Sequence, residues 1–409
     1  MENGLSEENR PAATDWGLVL AVFGAGVAAA FQVGKTPPSL PMMMPDLGLS
    51  LFAAGWAISL LNLVGSLGGL LSGTMADLLG YRRVILTGMV ILALGSLLGA
   101  LAQGPAVLLV SRFIEGLGYI LVSVTGPALI IGVTHPKNLR QALSIWIGYL
   151  AVGASLMMLL SPLALGSIGW RGLWLANSAL LLAYCVFLAR ITSRLSDLPA
   201  PDRRRAKTPW ADIRLTLSRP GPLLLAASFT LYALQFFAVV GFLPTLLIDD
   251  LKLEPSTAAV LTALVALFNA PGILLGGWLL QRGFRRVILI CLAGLVMGLC
   301  GLGIYNGALG GGWRYSLCLL FSAVGGLVPA SLVAGVPVHA PRPGLVATTN
   351  GLVMQGGSLG GLIGPPALAL TVSVAGGWSG APWLLTGSAS AAILLALWLG
   401  RLEAGSETD

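Results

Sequence analysis

Charge is what this sequence lacks most. Asp, Glu, Lys and Arg make up 10% of its 409 residues, where a soluble domain carries about a quarter. With 56% hydrophobic residues and a mean hydropathy of +0.88, a water-soluble globular chain is excluded and a membrane protein is predicted. Histidine is nearly absent. His135 and His339 are the only two, which excludes a multi-histidine metal or haem site. The four cysteines, Cys185, Cys291, Cys300 and Cys318, lie in apolar segments and form no C-x-x-C pair. They read as small hydrophobes, and no metal site is expected. There is no Walker loop, and no strand-to-helix nucleophile elbow is expected among apolar runs of helical length, so ATP-driven pumping and enzymatic catalysis find no foothold, and neither catalytic residues nor a cofactor are predicted. The acidic stretch from Met1 to Asp15 has no basic region before a small-residue cleavage site. It reads as a tail and not a signal peptide, so the first apolar run stays as a helix.

What the chain has in abundance is long apolar runs. A spanning helix needs about 20 such residues, and twelve runs qualify: 16–44, 51–72, 84–103, 105–132, 140–166, 172–190, 221–248, 256–280, 287–306, 314–338, 345–373 and 381–400. Each is long enough to satisfy its own backbone in lipid, so an all-α membrane protein is predicted. The 55 glycines often recur as small-xxx-small, as in Gly65, Gly69 and Gly73 or Gly357 and Gly361, a spacing that lets helix backbones approach closely. An even number of spans puts both termini on one side. Eighteen of the 23 Lys and Arg fall on that side, against Arg171, Lys252 and Arg314 on the other, with Lys35 and Arg112 inside spans. This bias assigns the termini to the cytoplasm and the protein, multi-pass, to a cytoplasmic (inner) membrane. It also explains the net charge of +7 without nucleic acid as a partner.

The chain divides into a tail (1–15), a six-helix bundle (16–190), a cytoplasmic linker (191–220), a second six-helix bundle (221–400) and a tail (401–409). The linker run Arg203-Arg204-Arg205 reads as a topology anchor, with contact to anionic lipid as the alternative. Two features recur half a chain apart. Gly73 to Arg83 puts Asp77, Gly80, Arg82 and Arg83 into one short loop; Gly276 to Arg286 echoes it with Arg285 and Arg286 but has Gln281 in place of the acid. His135-Pro136 is matched by His339-Ala340-Pro341, 204 positions later. A duplicated six-helix unit is expected, its solute site lying between the halves near the midplane.

These motifs resemble the major facilitator superfamily over essentially the whole chain. Gly73 to Arg83 is similar to the family's loop 2–3 motif, Arg112 to Gly118 to its span-four motif, and Gly169-Trp170-Arg171 to the sequence before its span six. A narrower resemblance is to the cyanate and nitroimidazole permeases, through Lys35 to Ser39, Phe242-Leu243-Pro244 and Gly360 to Pro366. In that branch the first of these positions is commonly arginine. Lysine keeps the charge but loses the planar fork suited to a carboxylate. The resemblance implies a secondary transporter working by alternating access. The Gly-x-x-x-Gly-Pro shape of its antiporters falls in span eleven, not span five, which gives drug–proton antiport little support.

Charged residues inside spans are functional candidates because an unpartnered one is costly. Arg112 and Glu115 are one helical turn apart. They read either as a proton-coupling pair, Glu115 titrating beside Arg112, or as a self-neutralised strut. Lys35 shares a helical face with Gln32, Thr36 and Ser39. It reads either as an anion clamp or as a lysine snorkelling to the outer end. Tyr119, Tyr232, Gln235, Asn269, Asn350 and Gln355 complete the solute-binding candidates, with interhelical hydrogen bonding as the plainer role of each. Asp249-Asp250 reads as a solvated helix end. A cationic first half facing a neutral second half favours a small anionic solute. The expectation is secondary active transport of such a solute, proton-coupled, by a monomer in contact with membrane lipids. Export of lipophilic drugs or metabolites is the rival within the fold. A non-transporting sensor is the rival from another class, for which the ends look too short to hold a soluble domain. The loop at Gly73, Asp77, Gly80, Arg82 and Arg83, with Arg285 and Arg286 in its echo, reads as a conformational gate. Asp77→Asn is expected to cripple turnover and spare binding.

Overall fold

The computed structural model describes residues 13–68, 80–193 and 209–406. Among these residues every regular element is helical. Eleven helical stretches are long and apolar enough to cross a membrane. One of them, Tyr149–Ile191, has 43 residues, about 65 Å at ~1.5 Å per residue, twice the ~30 Å of a hydrocarbon core. Gly169 interrupts it with a left-handed φ of 67°, so the stretch is two crossings and the total is twelve. We number them α1 (Trp16–Leu47), α2 (Leu51–Gly68), α3 (Tyr81–Ala100), α4 (Pro105–Val133), α5 (149–168), α6 (170–191), α7 (Pro220–Asp249), α8 (Pro255–Gln281), α9 (Arg286–Ile304), α10 (Gly311–His339), α11 (Val346–Val374) and α12 (Trp378–Ala404). The face where α1 begins and α12 ends is called the terminal face, and the opposite one the far face. A short helix, Leu139–Ile147, leads into α5. Another, Pro209–Leu217, occupies the end of the stretch expected to be linker, held to the α10–α11 connection by an ion pair between Asp212 and Arg342.

Several crossing helices break in mid-membrane, each two or three residues before a proline. In α1 the break is at Lys35, where Pro37 and Pro38 cannot donate to the carbonyls of Val33 and Gly34. In α8 it is at Phe268, three residues before Pro271, and in α10 at Gly326, three before Pro329. Lys35 therefore sits at a kink and not on a straight helix.

Each half has its own apolar core. One cluster joins residues of α1, α3, α4, the short helix before α5, and α6. A larger one fills the second half and also takes in Leu40, Ala54, Ile58 and Met158 of α1, α2 and α5. The two halves are thus packed against each other toward the far face. On α11, Gly356, Gly360 and Gly364 lie against the backbone of α7, where any Cβ would collide with the carbonyls of Ala226, Thr230 and Leu234. This is close packing of the kind anticipated for the glycine repeats, one residue out of the expected register.

At the far face each half carries a clamp. Asp46 at the end of α1 accepts from Trp170 Nε1 (2.8 Å) and pairs with Arg171; Arg171 also donates to the Ala102 carbonyl just past α3 (2.9 Å). Asp250 at the end of α7 pairs with Arg314 (2.6 Å), whose Nε donates to the Ile304 carbonyl at the end of α9 (2.7 Å). Asp250 is therefore a partner of a buried arginine and not merely a solvated helix end.

Candidate functional site

Lys35, Arg112 and Glu115, which read as two separate features in the sequence, form one cluster. Lys35 Nζ donates to Glu115 Oε1 (2.6 Å) and to Ser96 Oγ (2.8 Å). Arg112 Nη1 pairs with the other carboxylate oxygen of Glu115. The rest of the guanidinium is held by backbone: Nε donates to the Ala57 carbonyl (2.8 Å) and Nη2 to the Gln32 carbonyl (3.0 Å). Ser96 Oγ in turn donates to the Trp174 carbonyl (2.8 Å), and Lys35 Nζ lies 4.3 Å from the centroid of a Trp174 ring. Five helices, α1, α2, α3, α4 and α6, converge here. Lys35 and Glu115 are 0% exposed and Arg112 is 1% exposed. Gly95 makes room for the acid, since a Cβ there would lie 2.7 Å from Glu115 Cγ.

With all three groups ionised, two cations and one carboxylate give this buried cluster a formal charge of one positive. Counting ~1.5 Å per residue from the far ends of α1 and α4 places all three between about 10 and 18 Å deep, near mid-membrane. A lysine held by an acid and a serine at that depth is not snorkelling. Among its neighbours, Ser96, Trp174 and the Ala57 carbonyl carried no signal in the sequence. A serine in an apolar helix ordinarily bonds its own backbone, and a tryptophan in a span reads as packing.

The other candidates scatter. Gln32 and Thr36 are fully buried beside the cluster, and the Gln32 amide atoms and Thr36 hydroxyl have no hydrogen-bond partner among the described residues. Ser39 donates to the Lys35 carbonyl (2.7 Å) and so braces the kink. Tyr119 shares a hydrogen bond with Tyr149 (3.1 Å). In the second half, Asn269 Nδ2 donates to the Tyr232 hydroxyl (2.9 Å) and to the Ser322 carbonyl (2.9 Å), while Gln235 Nε2 bonds the Leu231 carbonyl of its own helix (3.1 Å). Tyr232 stacks between Phe229 and Phe236, with centroids 6.0 and 5.8 Å away. Gln355 Nε2 reaches across the halves to the Ser66 carbonyl (2.7 Å), and Asn350 is half-buried on α11.

Of the residues read in the sequence as a gate, Gly73 and Asp77 lie outside the described residues. Gly80 and its counterpart Gly283 both adopt left-handed φ, 86° and 89°. Arg82 donates to the Ala189 carbonyl (3.0 Å) and to Thr192 Oγ1 (3.3 Å), at the carbonyl end of α6, where a cation is favoured by the helix dipole. Arg83 and Arg285 are exposed. Arg286 pairs with Glu403 of α12 (3.3 Å), which also bonds His339 (2.9 Å). The echo lacks an acid of its own, and the last helix supplies one.

Comparison with known proteins agrees with this architecture. The family model of the Major Facilitator Superfamily matches residues 19–365. The chain belongs to the major facilitator superfamily. It is accordingly a multi-pass integral membrane protein of a transporter family. A gallate transporter of Pseudomonas putida is 28% identical, over 89% of this chain and 88% of that protein. Monocarboxylate transporter 11 of Homo sapiens is 30% identical, over 91% and 80%. A cephamycin export protein of Amycolatopsis lactamdurans is 30% identical, but over 53% and 42%. None of these three superfamily relatives is a cyanate or nitroimidazole permease. In fold, a bacterial homologue of the human lysosomal transporter Spinster, solved inward-facing and occupied, superposes with a TM-score of 0.78 over 94% of this chain and 97% of that one, at 15% identity.

Proposed function

We propose that this superfamily member moves a small monovalent carboxylate together with a proton, by alternating access. The observation that carries the reading is the buried cluster of Lys35, Arg112 and Glu115. Its two cations share one internal carboxylate. When Glu115 takes up a proton, both cations lose their partner, and a solute carboxylate can replace it. Proton and anion therefore favour each other's binding, which is the linkage a symporter needs. The net charge of the cluster is the same with Glu115 ionised and no solute as with Glu115 protonated and one monoanion bound. A dianion would change it, so a single negative charge suits the site. The relatives named for gallate and monocarboxylates, matched over most of their length, support the same class.

In this reading the terminal face is cytoplasmic, as the Lys and Arg bias requires. The two six-helix units, 16–190 and 221–400, rock about the packed interface. The loop at Asp77, Gly80, Arg82 and Arg83 and its echo at Arg285 and Arg286 act as gates whose partners change between the two states. Gln32, Thr36, Tyr119, Tyr232, Gln235, Asn269, Asn350 and Gln355 are the polar groups available to the uncharged part of the solute. The aromatic row of Phe229, Tyr232 and Phe236 also suits a lipophilic compound, which is the second reading.

The test is uptake of radiolabelled benzoate, gallate and lactate into proteoliposomes under an imposed pH gradient. Uptake of at least one, abolished in Lys35→Ala and Arg112→Ala, is expected. Undiminished uptake in both variants sinks the anion site. Absence of carboxylate flux combined with resistance to lipophilic compounds on expression favours the exporter.

A further inference from the structure

We propose that Ser96 and Trp174 are positioning residues that hold the Lys35 ammonium at the anion site while Glu115 carries its proton. The inference rests on the proton–carboxylate exchange proposed above. Once Glu115 is neutral, Lys35 has lost its counter-charge at a fully buried position, and an ammonium without partners there is strongly unfavourable. Two contacts survive that step. Ser96 Oγ accepts from Nζ at 2.8 Å, and its own proton is committed to the Trp174 carbonyl at 2.8 Å, so its lone pairs stay turned to the ammonium. The ring of Trp174, 4.3 Å from Nζ, offers the negative face of its π system, which attracts a cation most when both are desolvated.

The seat is rigid. Trp174 is 0% exposed and packs edge-on against Trp170, with centroids 5.8 Å apart. Trp170 is itself fixed through Nε1 to Asp46. Gly99 clears the space for the indole edge, since a Cβ there would lie 2.6 Å from Trp174 Nε1. Among the described residues, the charged groups on Glu115 are Lys35 from α1 and Arg112 from its own helix. From α3 it meets Gly95, and α2 presents only the Ala57 carbonyl to Arg112. A change in the behaviour of Glu115 when Ser96 or Trp174 is altered therefore acts through Lys35.

Infrared difference spectroscopy of the purified full-length protein tests this without knowledge of the solute. The carboxyl band that appears on acidification between about pH 9 and 4 and is missing in Glu115→Gln belongs to Glu115. Without the seat, Lys35 depends more on ionised Glu115, so proton uptake needs more acid. In Ser96→Ala and Trp174→Leu the midpoint of that band should move acid-ward by about one pH unit. Trp174→Phe keeps a π face and should stay close to wild type. An unmoved midpoint in both Ser96→Ala and Trp174→Leu overturns the inference, as does a Trp174→Phe shift equal to that of Trp174→Leu. If no band is lost in Glu115→Gln, it is the carrier role of Glu115 that fails.

Discussion

The two halves of this transporter have kept the same mechanics and parted in chemistry. Positions 204 residues on from Lys35, Arg112 and Glu115 are Val239, Ser316 and Leu319, so the second half has no counterpart of the charged cluster. Its polar centre is neutral: Tyr232, Asn269 and the Ser322 carbonyl. The far-face clamps show the opposite trend. Asp46 and Asp250 are 204 positions apart, and each holds an arginine that also bonds the carbonyl end of the third helix of its half. The arginine comes from α6 in one half and from α10 in the other. Two different helices deliver the same guanidinium to the same place, which points to demand for the clamp and not to inheritance of the residue. Ends of the first helix in each half must stay fixed if the halves are to rock as bodies. On the proposed function, charge near mid-membrane is needed in one half alone, because one monoanion would need one net positive site.

The hardest test of that contrast removes the centre of each half. Glu115→Ala leaves two buried cations without an anion, a change that costs about 3–5 kcal/mol when a buried pair is broken. Asn269→Ala breaks neutral interhelical hydrogen bonds worth about 1 kcal/mol. Thermal unfolding in detergent should show a large fall for the first and a small one for the second. Equal falls would mean that the charged cluster is not the distinctive feature of its half. Next in size is the effect of Glu115→Gln on coupling. The amide cannot carry a proton, so uptake driven by a pH gradient should be lost, while exchange of labelled for unlabelled carboxylate under equal pH persists. Loss of exchange as well would reduce Glu115 to a strut.

How far this difference was legible beforehand depends on the kind of signal. Hydropathy runs are long and one-dimensional, so twelve crossings and the family could be read from residues alone. So could Lys35, Arg112 and Glu115 as candidates, because a charge in an apolar run stands out. Their meeting could not. Lys35 and Glu115 are 80 positions apart, on helices whose relative placement leaves no pattern in the sequence, and Lys35 sits at the kink ahead of Pro37. Ser96 and Trp174 were invisible for another reason: their contribution is a lone pair, a carbonyl and a ring face, which leave no charge pattern in a sequence. Glu403 was hidden by the echo itself. Gln281 made the second loop look acid-free, whereas the acid that meets Arg286 comes from α12.

The clamps allow a finer comparison. Arg314 is 5% exposed at its side chain, while Arg171 is 41% exposed. Asp250→Asn therefore strands a buried guanidinium, whereas Asp46→Asn leaves one that water can reach. The first should lower the unfolding temperature by a few degrees and the second by less, a difference that salt should not erase because the guanidinium of Arg314 is buried and poorly screened. Equal sensitivity of both would show that burial of the arginine does not set the strength of the clamp.

The smallest effect expected is also the one that best separates the two readings of the second half. Tyr232→Phe removes one hydroxyl, the one that accepts from Asn269 Nδ2 at 2.9 Å, and keeps the stacked row with Phe229 and Phe236 intact. Asn269 retains the Ser322 carbonyl, so the loss in stability should be well under about 1 kcal/mol. If Tyr232 only ties α7 to α8, uptake will follow that small change and the preference among carboxylates will not move. If the hydroxyl faces the solute in the transport cycle, affinity for hydroxylated gallate should fall by several-fold relative to benzoate, since a site built to bond a hydroxyl discriminates through it. The ratio of the two uptake rates, measured in the same vesicles, reads this directly and is insensitive to how much of the protein is folded.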